Sequence, residues 1–204
     1  MNERIFIMRH GLTRANLENR FTGRTEEPLT PEGIRQAQEA GRLIAKEDIS
    51  AIYASPLRRT METAIAVRKG MARPLPIIPD PAFIEINIPP WEGKTKDEII
   101  ANASLKYEMW RKNPHLFDLP GCENLQKVKE RVVPRALSLF ARKTPVLIVT
   151  HMVVVRVLFC YFLGIELKDY RVISVPNARV FVVEKEPQGF FVRTAEDMLL
   201  SDVA

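Results

Sequence analysis

The sequence predicts an α/β fold with a mostly parallel central sheet. Short runs rich in Ile and Val recur along the chain and alternate with longer segments that have the period of amphipathic helices. This alternation is typical of strand–helix–strand units whose helices cover the sheet. The chain has 204 residues, of which 46% are hydrophobic, which suffices for the core of a single domain over residues 1–204.

Six apolar runs are predicted strands, and they lie at residues 4–8, 50–54, 75–78, 146–150, 178–184 and 190–193. The last two runs are joined by KEPQG, which contains the turn-forming residues Pro and Gly. We therefore expect these two strands to form a β-hairpin.

Capping signals mark the starts of the first three predicted helices. Thr30 followed by Pro31 predicts an N-cap and the first residue of a helix that ends near residue 46. Ser55 followed by Pro56 predicts the same arrangement for a helix that ends near residue 69. The segment TKDE, residues 95–98, fits a capping box that opens a third helix.

Two more helices are predicted in the second half of the chain. One spans about residues 124–142 with a kink at Pro134, and the other begins just after His151 and ends at Gly164. Residues 146–165 form the most apolar stretch, but His151 and Arg156 interrupt it. We therefore expect a buried strand and a buried helix there rather than a membrane span.

Residues 79–121 differ in composition from the rest of the chain. They include six prolines and both tryptophans, but only one clear helical segment. We expect this segment to be an elaboration over one edge of the sheet that covers a functional site.

The charges favour a small anionic ligand over nucleic acid. The chain carries 30 Lys and Arg against 25 Asp and Glu, and the basic residues are spread without forming a run. The net charge of +5 predicts a mild positive field that steers anionic substrates. Cys122 and Cys160 lack metal-ligand spacing, and two thiols in a chain of this size suit a reducing compartment. No signal-peptide pattern follows the N-terminus, so we expect a cytoplasmic protein.

Three predicted strands end on residues suited to an anion site. RHG at residues 9–11 follows the first strand, SPLRR at residues 55–59 follows the second, and TH at residues 150–151 ends the fourth. In open α/β sheets such strand ends face the ligand crevice. Arg9 and Arg58 offer planar guanidinium groups to an oxyanion, and His151 begins a helix whose dipole favours negative charge.

His10 lies between these charges and is a candidate nucleophile. A neutral imidazole can attack phosphorus when cations neutralise the phosphoryl oxygens. A lone RHG is a weak signal, since most matches would be surface histidines. The conjunction of RHG, SPLRRTMETA, WEG and VTH in this order is much more specific.

These motifs resemble the histidine phosphatase superfamily, in the branch that also contains cofactor-dependent phosphoglycerate mutases. The resemblance covers nearly the whole chain and implies a three-layer α/β/α fold, a phosphohistidine at His10, and no metal or other cofactor. It also implies a phosphate pocket formed by Arg9, Arg58 and His151, and a proton donor several residues before WEG, at Glu85. One carboxyl group there can protonate the leaving alkoxide and later activate water.

Further residues are assigned by the same resemblance. Asn16, Thr22 and Gly23 match positions on the substrate side of the pocket, with a turn-building role as the alternative for each. Glu92 competes with Glu85 as the acid, but by resemblance it belongs to the structural WEG element.

The chain departs from the family pattern in three places, one of which is that EINIPPWEG lacks the glycine usual before WEG and has two prolines that stiffen the loop beside Glu85. Met152 and Val153 stand where two glycines are common, so they either narrow the pocket or simply pack. Cys122 and Asn124, in PGCEN, stand in a loop where GGES is common, which leaves its substrate contacts open.

The resulting function is hydrolysis of a small phosphorylated metabolite, with phosphoserine, α-ribazole phosphate or a sugar phosphate as candidates. A phosphoglycerate mutase is the alternative among enzymes, and a catalytically silent phosphate-binding regulator is the alternative from another class. The resemblance and the apolar late strands also favour a homodimer.

Overall fold

The structure is a computed structural model that describes residues 3–197, and in this range the strands form one six-stranded sheet in the order β3-β2-β4-β1-β5-β6. The strands are β1 (Glu3–Arg9), β2 (Ile52–Ala54), β3 (Ile77–Pro79), β4 (Leu147–Thr150), β5 (Val180–Glu186) and β6 (Gly189–Thr194). Strands β3, β2, β4 and β1 pair in parallel. Strand β5 pairs antiparallel with β1, and β6 pairs antiparallel with β5. The predicted α/β class and the terminal hairpin are confirmed.

The sheet is accompanied by the α-helices α1 (Arg14–Leu17), α2 (Pro31–Leu43), α3 (Arg58–Met71), α4 (Lys96–Lys112), α5 (Leu125–Phe140) and α6 (Met152–Leu163), and residues 195–197 are also helical. Thr30 caps α2 by accepting a hydrogen bond from the Gly33 amide, and Thr95 forms the predicted capping box with Glu98. Gly164 ends α6 in the left-handed conformation, as predicted.

The predicted start of the second helix is wrong by two residues. Leu57, rather than Ser55, is the N-cap of α3, and its side chain makes no capping bond. The Ser55 hydroxyl is committed elsewhere, because its Oγ lies 2.7 Å from Nε2 of His151. A tertiary contact therefore replaces the local cap.

The sheet separates two apolar layers. In β1, Ile5 and Ile7 pack with α5 and α6, whereas Phe6 and Met8 pack on the opposite face with α2 and α3. Alternate side chains of a strand point to opposite faces, so a strand buried on both sides reads as a continuous apolar run. This explains the sequence IFIM before Arg9.

Residues 79–121 carry α4 and an aromatic cluster. Phe117 packs against both indoles, with its ring centroid 5.1 Å from those of Trp91 and Trp110. Among the described residues, none of the helices combines the length and hydrophobicity that a bilayer crossing requires. The apolar stretch that suggested such a crossing forms β4 and α6, as predicted.

Candidate active site

The pairing of β1 with β4 brings two histidines together. Arg9 lies opposite Thr150 in the parallel register, and the His10 amide donates to the Thr150 carbonyl at 2.9 Å. His10 and His151 are the next residues of their strands, and their ring centroids are 5.5 Å apart. Sheet register thus places the RHG and TH motifs at one site.

His10 is held in one tautomer. Its Nδ1 lies 2.8 Å from the Gly11 carbonyl oxygen, which can only accept, so Nδ1 carries the proton and Nε2 has the free lone pair. The side chain is buried, and burial together with the charges of Arg9 and Arg59 holds its pKa well below the usual range. His10 is therefore a neutral imidazole with an available nucleophilic nitrogen.

Gly11 is required by close backbone packing behind His10. Its amide donates to Thr63 Oγ1 at 3.0 Å, and a Cβ at this position would overlap the Gly33 carbonyl oxygen on α2. We predict that Gly11→Ala costs about 1–3 kcal/mol of stability, because the new Cβ would force the backbones at Gly11 and Gly33 apart. Thermal unfolding checks this, and an unchanged melting temperature with unchanged turnover would contradict it.

Arg59, not Arg58, supplies the second guanidinium of the site, so the prediction for Arg58 is wrong. The Arg58 side chain is 58% exposed and pairs with Glu62 through Nε at 2.8 Å. Successive helical residues are rotated by about 100°, which turns Arg58 outward and Arg59 inward. Arg59 shares the buried face of α3 with Thr63 and Val67.

The Arg59 guanidinium joins three parts of the site. Its terminal nitrogens donate to the carbonyls of Thr25 and Gly23 at 2.9 and 2.7 Å, and Nε donates to Nδ1 of His151 at 3.2 Å. Three of its five N–H groups are thereby used, and Arg59 is only 1% exposed and does not line the cavity that Arg9 and His10 line. Its charge acts on both His10 and Glu85.

His151 is fully buried and uses both ring nitrogens. Because Nδ1 accepts from Arg59, Nε2 carries the proton and donates to Ser55 Oγ. Burial and the charge of Arg59 hold the pKa of His151 well below its usual range. The arrangement orients Arg59, and direct contact of His151 with a phosphate stays a prediction.

Arg9 has unused hydrogen-bonding capacity at the end of β1. One terminal nitrogen donates to the Val175 carbonyl at 3.0 Å, whereas the buried Nε has no partner in residues 3–197. Burial lowers the pKa of Arg9 to about 10, so the group is still cationic at neutral pH. A half-buried cation with a free N–H is suited to an anionic ligand.

Glu85 is a buried carboxyl group on the wall of the cavity that Arg9 and His10 also line. Its side chain accepts a hydrogen bond from the Ile86 amide at 2.9 Å. Burial is the main cause that raises its pKa, and the charge of Arg59 opposes this only in part. Such a carboxyl holds its proton to a higher pH than an exposed glutamate and can serve as a general acid.

The cavity has a volume of about 570 Å³ and brings Arg9, His10 and Glu85 to one surface. Among the described residues that line it, six are cationic and one, Glu85, is acidic; the cationic residues are Arg9, Arg20, Lys96, Arg111, Arg156 and Arg171. The balance fits an anionic ligand. No group of three or more His, Cys, Asp or Glu in residues 3–197 is arranged to hold a metal ion.

Asn16, Thr22 and Gly23 all line the cavity, as their assignment to the substrate side requires. They also build local structure, which was the alternative. Asn16 Oδ1 accepts from the Thr13 amide and from Asn177 Nδ2, and the Gly23 carbonyl accepts from Arg59. Gly23 therefore helps to place the guanidinium that the site needs.

The residues whose roles the sequence left open fall into two groups, three that do not line the cavity and two that do. Glu92 accepts from the Arg24 amide at 2.7 Å and does not line the cavity, in agreement with a structural role. Asn124 is the N-cap of α5, and Cys122 is buried outside the cavity. Met152 and Val153, in contrast, both line it.

Sequence reasoning missed Arg59, Arg156, Arg171 and Asn177. Asn177 donates to the His10 carbonyl at 3.0 Å from a distant loop, and no local motif announces it. Arg156 had a signal, because it is the one charged residue in the apolar sequence of α6. A lone charge inside such a helix indicates a ligand or a buried partner.

Comparison with known proteins identifies the family. The profile described as the histidine phosphatase superfamily (branch 1) matches residues 5–198. The chain belongs to this superfamily. The solved structure titled Bacillus stearothermophilus YhfR is 31% identical, superposes with a TM-score of 0.87, and is matched over 94% of this chain and 95% of that one.

Two curated relatives of this histidine phosphatase carry phosphatase names. Phosphoserine phosphatase 1 of Hydrogenobacter thermophilus is 28% identical over 185 residues, which cover 90% of this chain and 87% of that protein. Adenosylcobalamin/alpha-ribazole phosphatase of Escherichia coli K12 is 29% identical over 165 residues, 79% of each chain. The chain is accordingly a phosphoric monoester hydrolase, and the mutase alternative has less support.

Proposed function

We propose that this histidine phosphatase hydrolyses a small phosphorylated metabolite without a metal ion, through a phosphohistidine on His10. The observation that carries the proposal is the juxtaposition of a neutral His10, with Nε2 free, and two guanidinium groups that lack carboxylate partners. Among residues 3–197, no carboxylate lies within ion-pair distance of Arg9 or Arg59. These cations can neutralise the phosphoryl oxygens and favour attack at phosphorus.

The reaction has two balanced steps. In the first, Nε2 of His10 attacks phosphorus, the P–O bond to the leaving group breaks, and protonated Glu85 gives its proton to that oxygen. In the second, Glu85 takes a proton from water, the resulting hydroxide attacks phosphorus, and the P–N bond breaks to release inorganic phosphate. Arg9 and Arg59 hold the phosphoryl oxygens throughout, and His151 orients Arg59.

The function is tested by phosphate release from EDTA-treated protein. The panel contains p-nitrophenyl phosphate, phosphoserine, α-ribazole phosphate, sugar phosphates and 3-phosphoglycerate. Phosphoserine and α-ribazole phosphate are first candidates because the two relatives bear their names. Turnover that survives chelation supports the proposal. Activity only after priming with 2,3-bisphosphoglycerate would favour the mutase, and phosphate binding without turnover would favour the silent regulator.

Glu85→Gln is expected to lower kcat about 10²–10⁴-fold, because the amide cannot supply or take the proton. In the wild type, kcat/KM should fall as pH rises through the raised pKa of Glu85, since the first step needs the protonated acid. The limb at low pH should lie below the usual range of histidine, because the pKa of His10 is lowered. The variant should lose the limb at high pH.

Glu92→Gln is the matched control for this prediction. Its amide oxygen can still accept from the Arg24 amide, so we expect turnover within about threefold of the wild type. A larger loss at Glu92 than at Glu85, or an unchanged pH profile in Glu85→Gln, would assign the proton transfer to another group.

The cytoplasmic location and the homodimer belong to the same proposal. Both cysteines are free thiols, which suits a reducing compartment. Strand β6 lies at the edge of the sheet, and its Phe191 is 47% exposed, which favours burial against a second copy. Light scattering tests the dimer, and a monomer at all protein concentrations would contradict it.

A further inference from the structure

We propose that Arg156 and Arg171 form a second anion subsite, which binds a negatively charged group on the leaving-group part of the substrate. The inference rests on the proposed phosphatase function and narrows its substrate class. The substrate would be a phosphomonoester that carries another anionic group, either a carboxylate or a second phosphate.

The first observation is how the arginines around the cavity are paired. At the cavity, Arg20 pairs with Glu18 and Glu98, and Arg111 pairs with Glu108. Arg156 and Arg171 line the same cavity and are half-buried, yet no carboxylate in residues 3–197 lies within 4.0 Å of either guanidinium. Placing two half-buried positive charges close together is unfavourable in free energy unless an anion binds between them.

The second observation is that protein contacts hold Arg156 in place. Its Nε donates to the Ile173 carbonyl at 2.9 Å. Its guanidinium carbon lies 5.5 Å from the ring centroid of Tyr170, which is fully buried. A guanidinium supported by an aromatic ring and anchored through Nε is preorganised to present its terminal N–H groups to a ligand.

Arg171 is also held in place by a backbone carbonyl and by aromatic rings. One terminal nitrogen donates to the Trp110 carbonyl at 2.9 Å, and the guanidinium carbon lies 5.1 Å from the Tyr170 ring and 5.3 Å from the Trp110 ring. Its Nε is buried and has no partner within the described range. A buried donor without a partner is costly, and a bound anion would satisfy it.

The position of Arg156 assigns the subsite to the leaving group. Arg156 follows His151 by five residues, which is about 7.5 Å along the axis of α6. Arg156 lines the same cavity as His10, and its charge still acts on Arg9 and on the proposed proton donor Glu85. We infer that a cation of the cavity wall that is not needed to hold the phosphoryl group meets the part of the substrate that departs with the leaving oxygen.

Matched substrate pairs test the subsite and separate its two possible ligands. Phosphoserine and O-phosphoethanolamine differ by a carboxylate, as do 3-phosphoglycerate and glycerol 3-phosphate, whereas fructose 1,6-bisphosphate and fructose 6-phosphate differ by a phosphate. We expect the wild type to prefer the more anionic member of at least one kind of pair by about 10–100-fold in kcat/KM, as befits charge-assisted hydrogen bonds.

Variants locate the preference on the two arginines. In Arg156→Gln and Arg171→Gln the preference should fall about tenfold or more, mainly through a higher KM for the more anionic member of each pair. Arg156→Lys should restore part of the preference because it keeps the charge. Arg35→Gln is the control, since Arg35 pairs with Glu32 and Glu39 on the exposed face of α2.

The outcomes separate this inference from the proposed function. Absence of p-nitrophenyl phosphate turnover in the wild type would remove the phosphatase proposal itself. Normal turnover with no preference in any pair, or with a preference that survives in both glutamine variants, would overturn the subsite alone. The comparison within the wild type stands even if a variant fails to fold.

Discussion

His10→Ala is expected to lower phosphatase turnover by at least about 10³-fold. The alanine has no atom that can attack phosphorus, and the remaining cations can bind phosphate but cannot form the covalent intermediate. The measurement is kcat for p-nitrophenyl phosphate with wild type and variant at equal concentration. Binding of inorganic phosphate should survive in the variant, because Arg9 and Arg59 are intact.

His115→Ala is the matched control for the loss of an imidazole. His115 is exposed and does not line the cavity, so its removal should leave turnover within about twofold. Equal losses at His10 and His115, or residual turnover of the wild-type size in His10→Ala, would remove the phosphohistidine route.

Arg59→Gln is expected to lower kcat/KM about 10²–10³-fold, whereas Arg58→Gln should change it less than about threefold. In the proposed mechanism the buried guanidinium of Arg59, which His151 anchors, holds the phosphoryl oxygens, and each lost donor to developing charge is worth several kcal/mol. The Arg58 side chain forms an ion pair with Glu62 at the surface, and such pairs contribute little.

The two adjacent arginines control for each other, since both substitutions remove one positive charge from the start of α3. A drop in kcat/KM for Arg58→Gln that equals or exceeds that for Arg59→Gln would contradict the assignment. Weaker inhibition by inorganic phosphate in Arg59→Gln alone would support it further.

The choice between Arg58 and Arg59 depends on which face of α3 is buried. The motif SPLRR placed two arginines at the end of β2, but only the helical face decides which of them points inward. Thr63 and Val67 lie four and eight residues after Arg59 and form the buried face, whereas Glu62 and Lys69 follow the face of Arg58. That periodicity was present in the sequence, so the inward arginine could have been chosen from it.

Other parts of the site depend on contacts that no local pattern specifies. The IFIM run is a contrasting case, because its sequence alone predicts a strand buried on both faces, and β1 is such a strand. The pairing of Ser55 with His151, and the stacking of Arg171 on Trp110, join residues that are far apart in the chain. Similarly, Glu85 acquires its raised pKa only when the chain around it excludes water.

The most direct test of the account is to trap the phosphoenzyme. Glu85→Gln protein, mixed with substrate and quenched under alkaline conditions that preserve phosphohistidine, is digested and analysed by mass spectrometry. The phosphohistidine mechanism predicts a phosphoryl adduct on the peptide that contains His10, attached at Nε2, because Nδ1–H donates a hydrogen bond to the Gly11 carbonyl. The adduct should be absent from His10→Ala. An adduct on another residue, attachment at Nδ1, or substrate hydrolysis in a single turnover with no adduct would contradict this mechanism.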